Sequence, residues 1–302
     1  MTSPAAGRNV RIGLLGTGPW ASAVHGPALA AHPGVTLTGV WGRRPEAAAE
    51  LAGTLGTRPY ADADALFADS DAVAVALPPD VQAELAGRAA DAGCHLLLDK
   101  PLATTTAAAQ DAAARAEAAG VASVVFFTLR FAAGSAAWID EQAARGGWFT
   151  ARAQWLAPLY APGSDSPYAA SPWRRERGGL WDVGPHALSV LLPVLGDVTT
   201  VTAARGPADL THLVLRHTSG ASSTAVLSLH APTAAAGSTV ELLGADGAFS
   251  LPEKQGESAE AAYSRAVDAL LAAIATGEPH PCDIHFAARV TQILAAAETS
   301  LG

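Results

Sequence analysis

Over the first 120 residues, short apolar runs take turns with amphipathic stretches, and that alternation leaves few architectures open. Residues 10–15, 35–40, 72–77 and 95–98 read as buried strands, and residues 21–31, 45–55, 81–92 and 106–119 as helices. Residues 58–60 add a short strand, 62–68 a short helix, and 121–127 a closing strand. Parallel neighbours need a crossover of about a dozen residues, which a helix supplies, so the pattern predicts an α/β chain with a doubly wound parallel sheet.

After Arg130 the pattern changes. A helix over 132–145 leads into a strand over 148–156, and a loop rich in Pro, Ser and Tyr follows over 157–177. Runs at 198–204, 210–217, 222–230, 239–243 and 248–251 are separated by short turns, which favours antiparallel pairing. Helices over 259–275 and 284–299 finish the chain, and the tail MTSPAAGR is the expected loose end. The division predicted is a first domain over 1–124 and a second over 125–302, with the last helices able to pack back on the first.

At 302 residues and 50% hydrophobic, the chain has enough apolar material for two cores. A net charge of -9 without a basic cluster argues against nucleic acid or an anionic membrane surface as partner. The apolar run before the first glycines is too short for a secretion signal, and the stretch VASVVFFTL ends at Arg130, far below the ~20 residues of a membrane span. Two distant cysteines, Cys94 and Cys282, fit a reducing compartment, so a cytoplasmic setting is expected. His280, Cys282, Asp283 and His285 can be drawn as a metal site, but a loop before the last helix explains them as well, and no metal is expected.

The first strand runs into GLLGTGPWA, where Gly16, Gly18 and Ala21 occupy the positions of G-x-G-x-x-(G/A), with Thr17, Pro19 and Trp20 between them. Gly16 permits the tight turn, Gly18 lets backbone approach a pyrophosphate, and Ala21 keeps the following helix close to the sheet. A methyltransferase loop also places glycines after its first strand, but with an acidic residue just before them, and none stands here. An NAD site would place Asp or Glu at the end of the second strand; GVWGRRPEAA has Gly42, Arg43 and Arg44 instead. A guanidinium suits a 2'-phosphate, so NADP is favoured, with NAD possible.

In RGGLWDVGPHALSVL, residues 177–191, Asp182 and His186 stand four apart. On one helix they project from the same face one turn apart. With Pro185 in its first turn, a helix starting near Val183 or Gly184 is expected. Taken alone, the segment can equally be a carboxylate at a helix N-terminus and a core histidine.

HLLLDKPLATT ends a further strand of the first sheet. With the glycine loop, ALPPDVQAEL and DVGPH, in that order along nearly the whole chain, it resembles the Gfo/Idh/MocA family of sugar and polyol oxidoreductases. The resemblance implies an N-terminal Rossmann domain and a C-terminal α/β domain with an open, mostly antiparallel sheet, the active site lying between them. It implies Lys100, Asp182 and His186 as the catalytic set. Leu77, Pro78, Asp99 and Lys100 join Gly16, Thr17, Gly18, Pro19, Trp20, Ala21, Gly42, Arg43 and Arg44 around the cofactor. A cis Lys100–Pro101 peptide is implied as well. Hydride transfer at a carbinol needs a proton moved at oxygen, which an imidazole titrating near neutrality does well, while an ammonium polarises the developing alkoxide.

Three positions depart from the family pattern. Asp99 replaces the usual Glu, and Pro79 and Gln82 stand where Asn and His are frequent, so contacts on the nicotinamide side are expected to differ. Arg130, Tyr160, Trp173 and Arg174 are placed for substrate contact or for packing alike. Two other readings stay open on the same scaffold, a glycosidase using bound NAD and a non-catalytic dinucleotide-binding regulator. An open sheet needs cover, so a homodimer or homotetramer through the second domain is expected.

Overall fold

A computed structural model of the chain describes residues 8–253 and 256–302. The stretch expected to be loose lies outside these except for Arg8, whose guanidinium reaches Asp71 at 3.2 Å.

The chain forms two compact units, one of Met1–Phe131 with Glu257–Ala288 and one of Ala132–Gly256 with Arg289–Gly302. The first holds a six-stranded sheet of β1 Val10–Leu15, β2 Val35–Trp41, β3 Pro59–Tyr60, β4 Ala72–Val75, β5 His95–Asp99 and β6 Ser123–Phe126. Their order is β3-β2-β1-β4-β5-β6, all parallel. This is the α/β doubly wound arrangement that the alternation of runs predicts. Every residue of β4 and β6 is buried, as a sheet covered on both faces requires. Asp71, just before β4, ties it to β1 by accepting from the main-chain N–H of Arg11 at 2.9 Å and its guanidinium at 2.7 Å. Burial pushes this carboxyl up, but the Arg11 hydrogen bonds outweigh it and hold the group below the usual carboxylate range. The helix Ala259–Thr276 packs in this unit and buries Tyr263, Ala266, Val267 and Leu270.

The second unit holds a mixed sheet of β7 Trp148–Leu156, β8 Val198–Arg205, β9 Thr211–His217, β10 Ser222–Ser228, β11 Gly237–Gly244 and β12 Gly247–Ser250, in the order β12-β11-β7-β10-β9-β8. Only β7 and β10 run parallel among the pairs. Strict alternation of buried and exposed residues along β9 shows one covered face. The helix Gly184–Leu195, apolar almost all round, packs against β7 and β10 on the covered side.

Two stretches differ from the sequence reading. The first turn of the helix after β1, Ala21–His25, is a π-helix that continues as an α-helix over Gly26–Ala31. The stretch 157–177, read as loop, contains the start of a helix, Pro172–Asp182. That helix is kinked at Gly178, whose φ of 63° suits a residue without Cβ. Asp182 therefore closes one helix and His186 lies in the first turn of the next, so the two do not share a single helical face.

Candidate active site

In the first unit the residues read as cofactor-binding follow the carboxyl ends of β1, β2, β4 and β5, the edge where open α/β sheets bind ligands. Gly16 has a φ of 128°, and a Cβ there would stand 2.3 Å from the carbonyl oxygen of Ala76, so only glycine makes this turn. Gly18 is different: nothing lies within 4 Å of where its Cβ would be. Its backbone therefore fronts open space beside Thr17, Pro19 and Trp20, the cradle a pyrophosphate needs, and Ala21 is fully buried behind it. Gly42 packs against the Thr17 side chain, where a Cβ would meet Thr17 Cγ2 at 2.6 Å. Arg43 and Arg44 are exposed and joined to no carboxylate among the described residues. Leu77 and Pro78 are half-buried at the end of β4. These residues fit a dinucleotide: the backbone cradle is open and the arginines are unspent.

Lys100 leaves the end of β5 with a cis bond to Pro101. Its main-chain N–H donates to Asp99 Oδ1 at 2.7 Å. Gln82 holds this turn from the helix Pro79–Asp91. Its side-chain amide, almost fully buried, donates to the carbonyls of Asp99 at 2.7 Å and Pro101 at 3.1 Å. Its oxygen accepts from the Asp99 N–H at 2.9 Å. The departure at Gln82 is thus spent inside the protein, on the backbone that carries the lysine. The sequence contains only two lysines, Lys100 and Lys254, among 19 basic residues. A chain that uses arginine almost everywhere has a lysine at this turn, and the two side chains are not interchangeable in chemistry.

In the second unit the Asp182 carboxylate is buried and accepts from Arg174 Nε at 3.1 Å. The same guanidinium lies 4.7 Å from the ring of Trp173 and 5.4 Å from that of Tyr168. Gly179 brings this helix onto β10, because a Cβ there would fall 2.6 Å from Ser228 Cα. His186 stacks on Trp155 of β7, with centroids 5.1 Å apart and planes at 20°. Asp209 anchors the helix just past its kink: it accepts from Gly179 N–H at 2.8 Å, Leu229 N–H at 2.8 Å and the Ser228 hydroxyl at 2.6 Å. Burial pushes its carboxyl up, but these donors and His230 hold it below its ordinary range. The Tyr160 hydroxyl is buried, Arg175 lies over its ring at 4.7 Å, and burial raises its phenol.

Trp155, the Arg174–Asp182 pair and the inward use of Gln82 escaped the sequence reading. Arg174 had been named, but eight residues and a kink separate it from Asp182. Trp155 lies on another element, and no spacing links it to His186. Arg130 donates its main-chain N–H to Phe127, and its charge adds to burial in lowering His280. The segment around His280 and Cys282 forms a loop beside β6, Val125 N–H donating to the Cys282 carbonyl at 2.7 Å. No described helix is long and apolar enough to cross a membrane.

Residues 10–127 match the family model of the oxidoreductase family with an NAD-binding Rossmann fold. A dTDP-3,4-didehydro-2,6-dideoxy-alpha-D-glucose 3-reductase of Actinomadura kijaniata is 37% identical over 108 residues, which are 34% of this chain and 32% of that protein. The chain thus covers about a third of the length of that curated relative. Solved structures are similar over nearly everything. An oxidoreductase domain protein from Kribbella flavida has a TM-score of 0.85 at 26% identity, with 97% of each chain covered. A levoglucosan dehydrogenase in complex with NADH and levoglucosan has a TM-score of 0.84 at 22% identity, again with 97% of each covered.

Proposed function

Because residues 10–127 match the family model of NAD-binding Rossmann oxidoreductases, we propose that this chain belongs to the Gfo/Idh/MocA family and transfers hydride between NADP and a hydroxyl or carbonyl carbon of a sugar, cyclitol or related small molecule. The observation that carries the reading is Lys100, held by Asp99 and Gln82 on the same sheet edge as the open glycine cradle. Oxidation of a carbinol removes a hydride from carbon and a proton from oxygen. Bound dinucleotide supplies the hydride acceptor, and this chain's residues handle the oxygen and its proton. Lys100 offers a compact positive charge with three donors to the oxygen as it becomes an alkoxide. His186, its ring held flat against Trp155, takes the proton in one direction and returns it in the other. Asp182, kept in place by Arg174, accepts from a substrate hydroxyl and fixes its orientation.

The dinucleotide preference rests on β2. The similar solved structures include a levoglucosan dehydrogenase in complex with NADH, but here β2 is followed directly by Gly42, Arg43 and Arg44, and the two arginines stand exposed. An exposed pair of guanidiniums is suited to a 2'-phosphate. The reading includes assembly as a homodimer or homotetramer through the second unit's sheet, where Phe149 on β7 is 80% exposed and Val214 on β9 50%. It also includes a cytoplasmic setting, which suits the free thiols of Cys94 and Cys282.

The test is a fluorescence titration with NADPH and NADH on protein sized by light scattering. We expect tighter NADPH binding and loss of that preference, about tenfold or more, in Arg43→Ala/Arg44→Ala. Equal affinities unchanged by the double substitution would move the assignment to NAD, and a monomer in scattering would remove the assembly.

A further inference from the structure

His25 is fully buried in the first unit, and neither ring nitrogen has a hydrogen-bond partner among the described residues. The hydroxyl of Tyr263 is buried and unmatched in the same way. Buried polar atoms are normally satisfied, so two such side chains in contact call for a reason. Their rings stack at 4.0 Å and 24°, and Phe126 and Trp20 each meet the imidazole edge-on with centroids 6.3 Å away. The aromatic walls fix the plane of the ring. One polar group faces it: His25 Nε2 stands 3.6 Å from Asp99 Oδ2. The other oxygen of that carboxylate already holds the Lys100 N–H at 2.7 Å.

We propose that His25 is a positioning residue, which steers the Asp99 carboxylate and through it the main chain of Lys100. The inference rests on the reading of Lys100 as the group that polarises substrate oxygen. A separation of 3.6 Å is one short movement from a hydrogen bond, and such contacts are often long until a ligand tightens them. An imidazole with its proton on Nε2 donates to Asp99, so the shorter carboxylate at this position keeps an anchor on its far side. Tyr263 stays a neutral phenol, because burial and then the nearby charge of Asp99 raise it well above its ordinary value. The π-turn Ala21–His25 carries the imidazole directly after the glycine loop, so one buried side chain joins the dinucleotide cradle to the lysine turn. His25 touches neither substrate nor cofactor in this account and acts only through Asp99.

The two-lysine composition makes the link measurable without substrate. In protein grown with ¹⁵N-lysine, an amide correlation spectrum contains one signal from Lys100 and one from Lys254, assigned by Lys254→Arg. We expect His25→Phe to move the Lys100 signal, to leave the Lys254 signal in place, and to lower kcat about ten- to a hundredfold, while dinucleotide affinity stays within about twofold. His25→Gln, whose amide mimics the Nε2 donor, should restore the signal and most of kcat. If His25→Phe does not fold, His25→Asn, too short to reach Asp99, carries the same test. A Lys100 signal unmoved in a folded variant overturns the proposal. A moved signal with unchanged kcat against an accepted sugar would uphold the link and remove Lys100 from the chemistry, which strikes the functional reading instead.

Discussion

Lys100 shows how much a single side chain can say when its alternatives are abundant. Arginine outnumbers lysine heavily in this chain, and a guanidinium is as positive as an ammonium, so charge alone does not require lysine at the turn. What differs is size and hydration: the ammonium is a point charge that concentrates its field on one oxygen. Lys100→Arg should therefore bind the dinucleotide normally and lose about a hundredfold or more in kcat, roughly 3 kcal/mol of transition-state stabilisation. Steady-state kinetics beside a dinucleotide titration checks this, and an arginine variant of near-normal kcat would reduce the residue to a charge. At this scale the motif residues were legible because glycine, proline and lysine each have a local reason to be where they are. Trp155 against His186 and Arg174 against Asp182 were not, since side chains meeting across elements leave no spacing in the chain.

The helix Pro79–Asp91 does more than cover the sheet. Through Gln82 it satisfies one N–H and two carbonyls of the turn after β5. Gln82→Leu keeps the volume but strands those buried groups, so it should cost about 2–4 kcal/mol. A thermal melt should show it as a drop of several degrees, with kcat falling further than the stability loss explains, because the lysine turn loosens. A melt within a degree of the parent would mean that water replaces the amide. Among elements, the strands of the first sheet came close to their expected bounds, since continuous apolar runs flanked by turns have one reading. The helix Pro172–Asp182 was read as loop in its first half because that half, PWRRER, is polar and follows a run of Pro, Ser and Tyr. Its formation depends on Asp209 and β10, which receive the Gly179 end.

Across the whole molecule, partly and fully buried histidines set how stability responds to acid. His95 and His280 in the first unit and His217 in the second are each lowered, in every case chiefly by burial. A group whose folded value lies below its unfolded value of about 6.5 favours the neutral form in the native state. Its contribution is therefore present above about pH 6.5 and lost as pH falls through the lower folded value. The melting temperature should be nearly flat from about pH 8 to 6.5 and decline below that, well before Asp71 and Asp209, themselves lowered, begin to protonate. His217→Gln, which can keep a contact to Gly196 or Ser223, should shallow the decline, and a melt unchanged down to pH 5 would contradict this account. The sequence by itself determined the first sheet's class and the tight glycine turn after β1, because alternation and glycine turns are local constraints readable in order along one strand and its neighbours. Only the tertiary structure decided that Asp182 and His186 belong to different helices, that Gln82 faces inward, and that His25 stacks on Tyr263 beside Asp99. Each of these depends on which distant elements pack together, and packing is selected by the whole core rather than by any one stretch of chain.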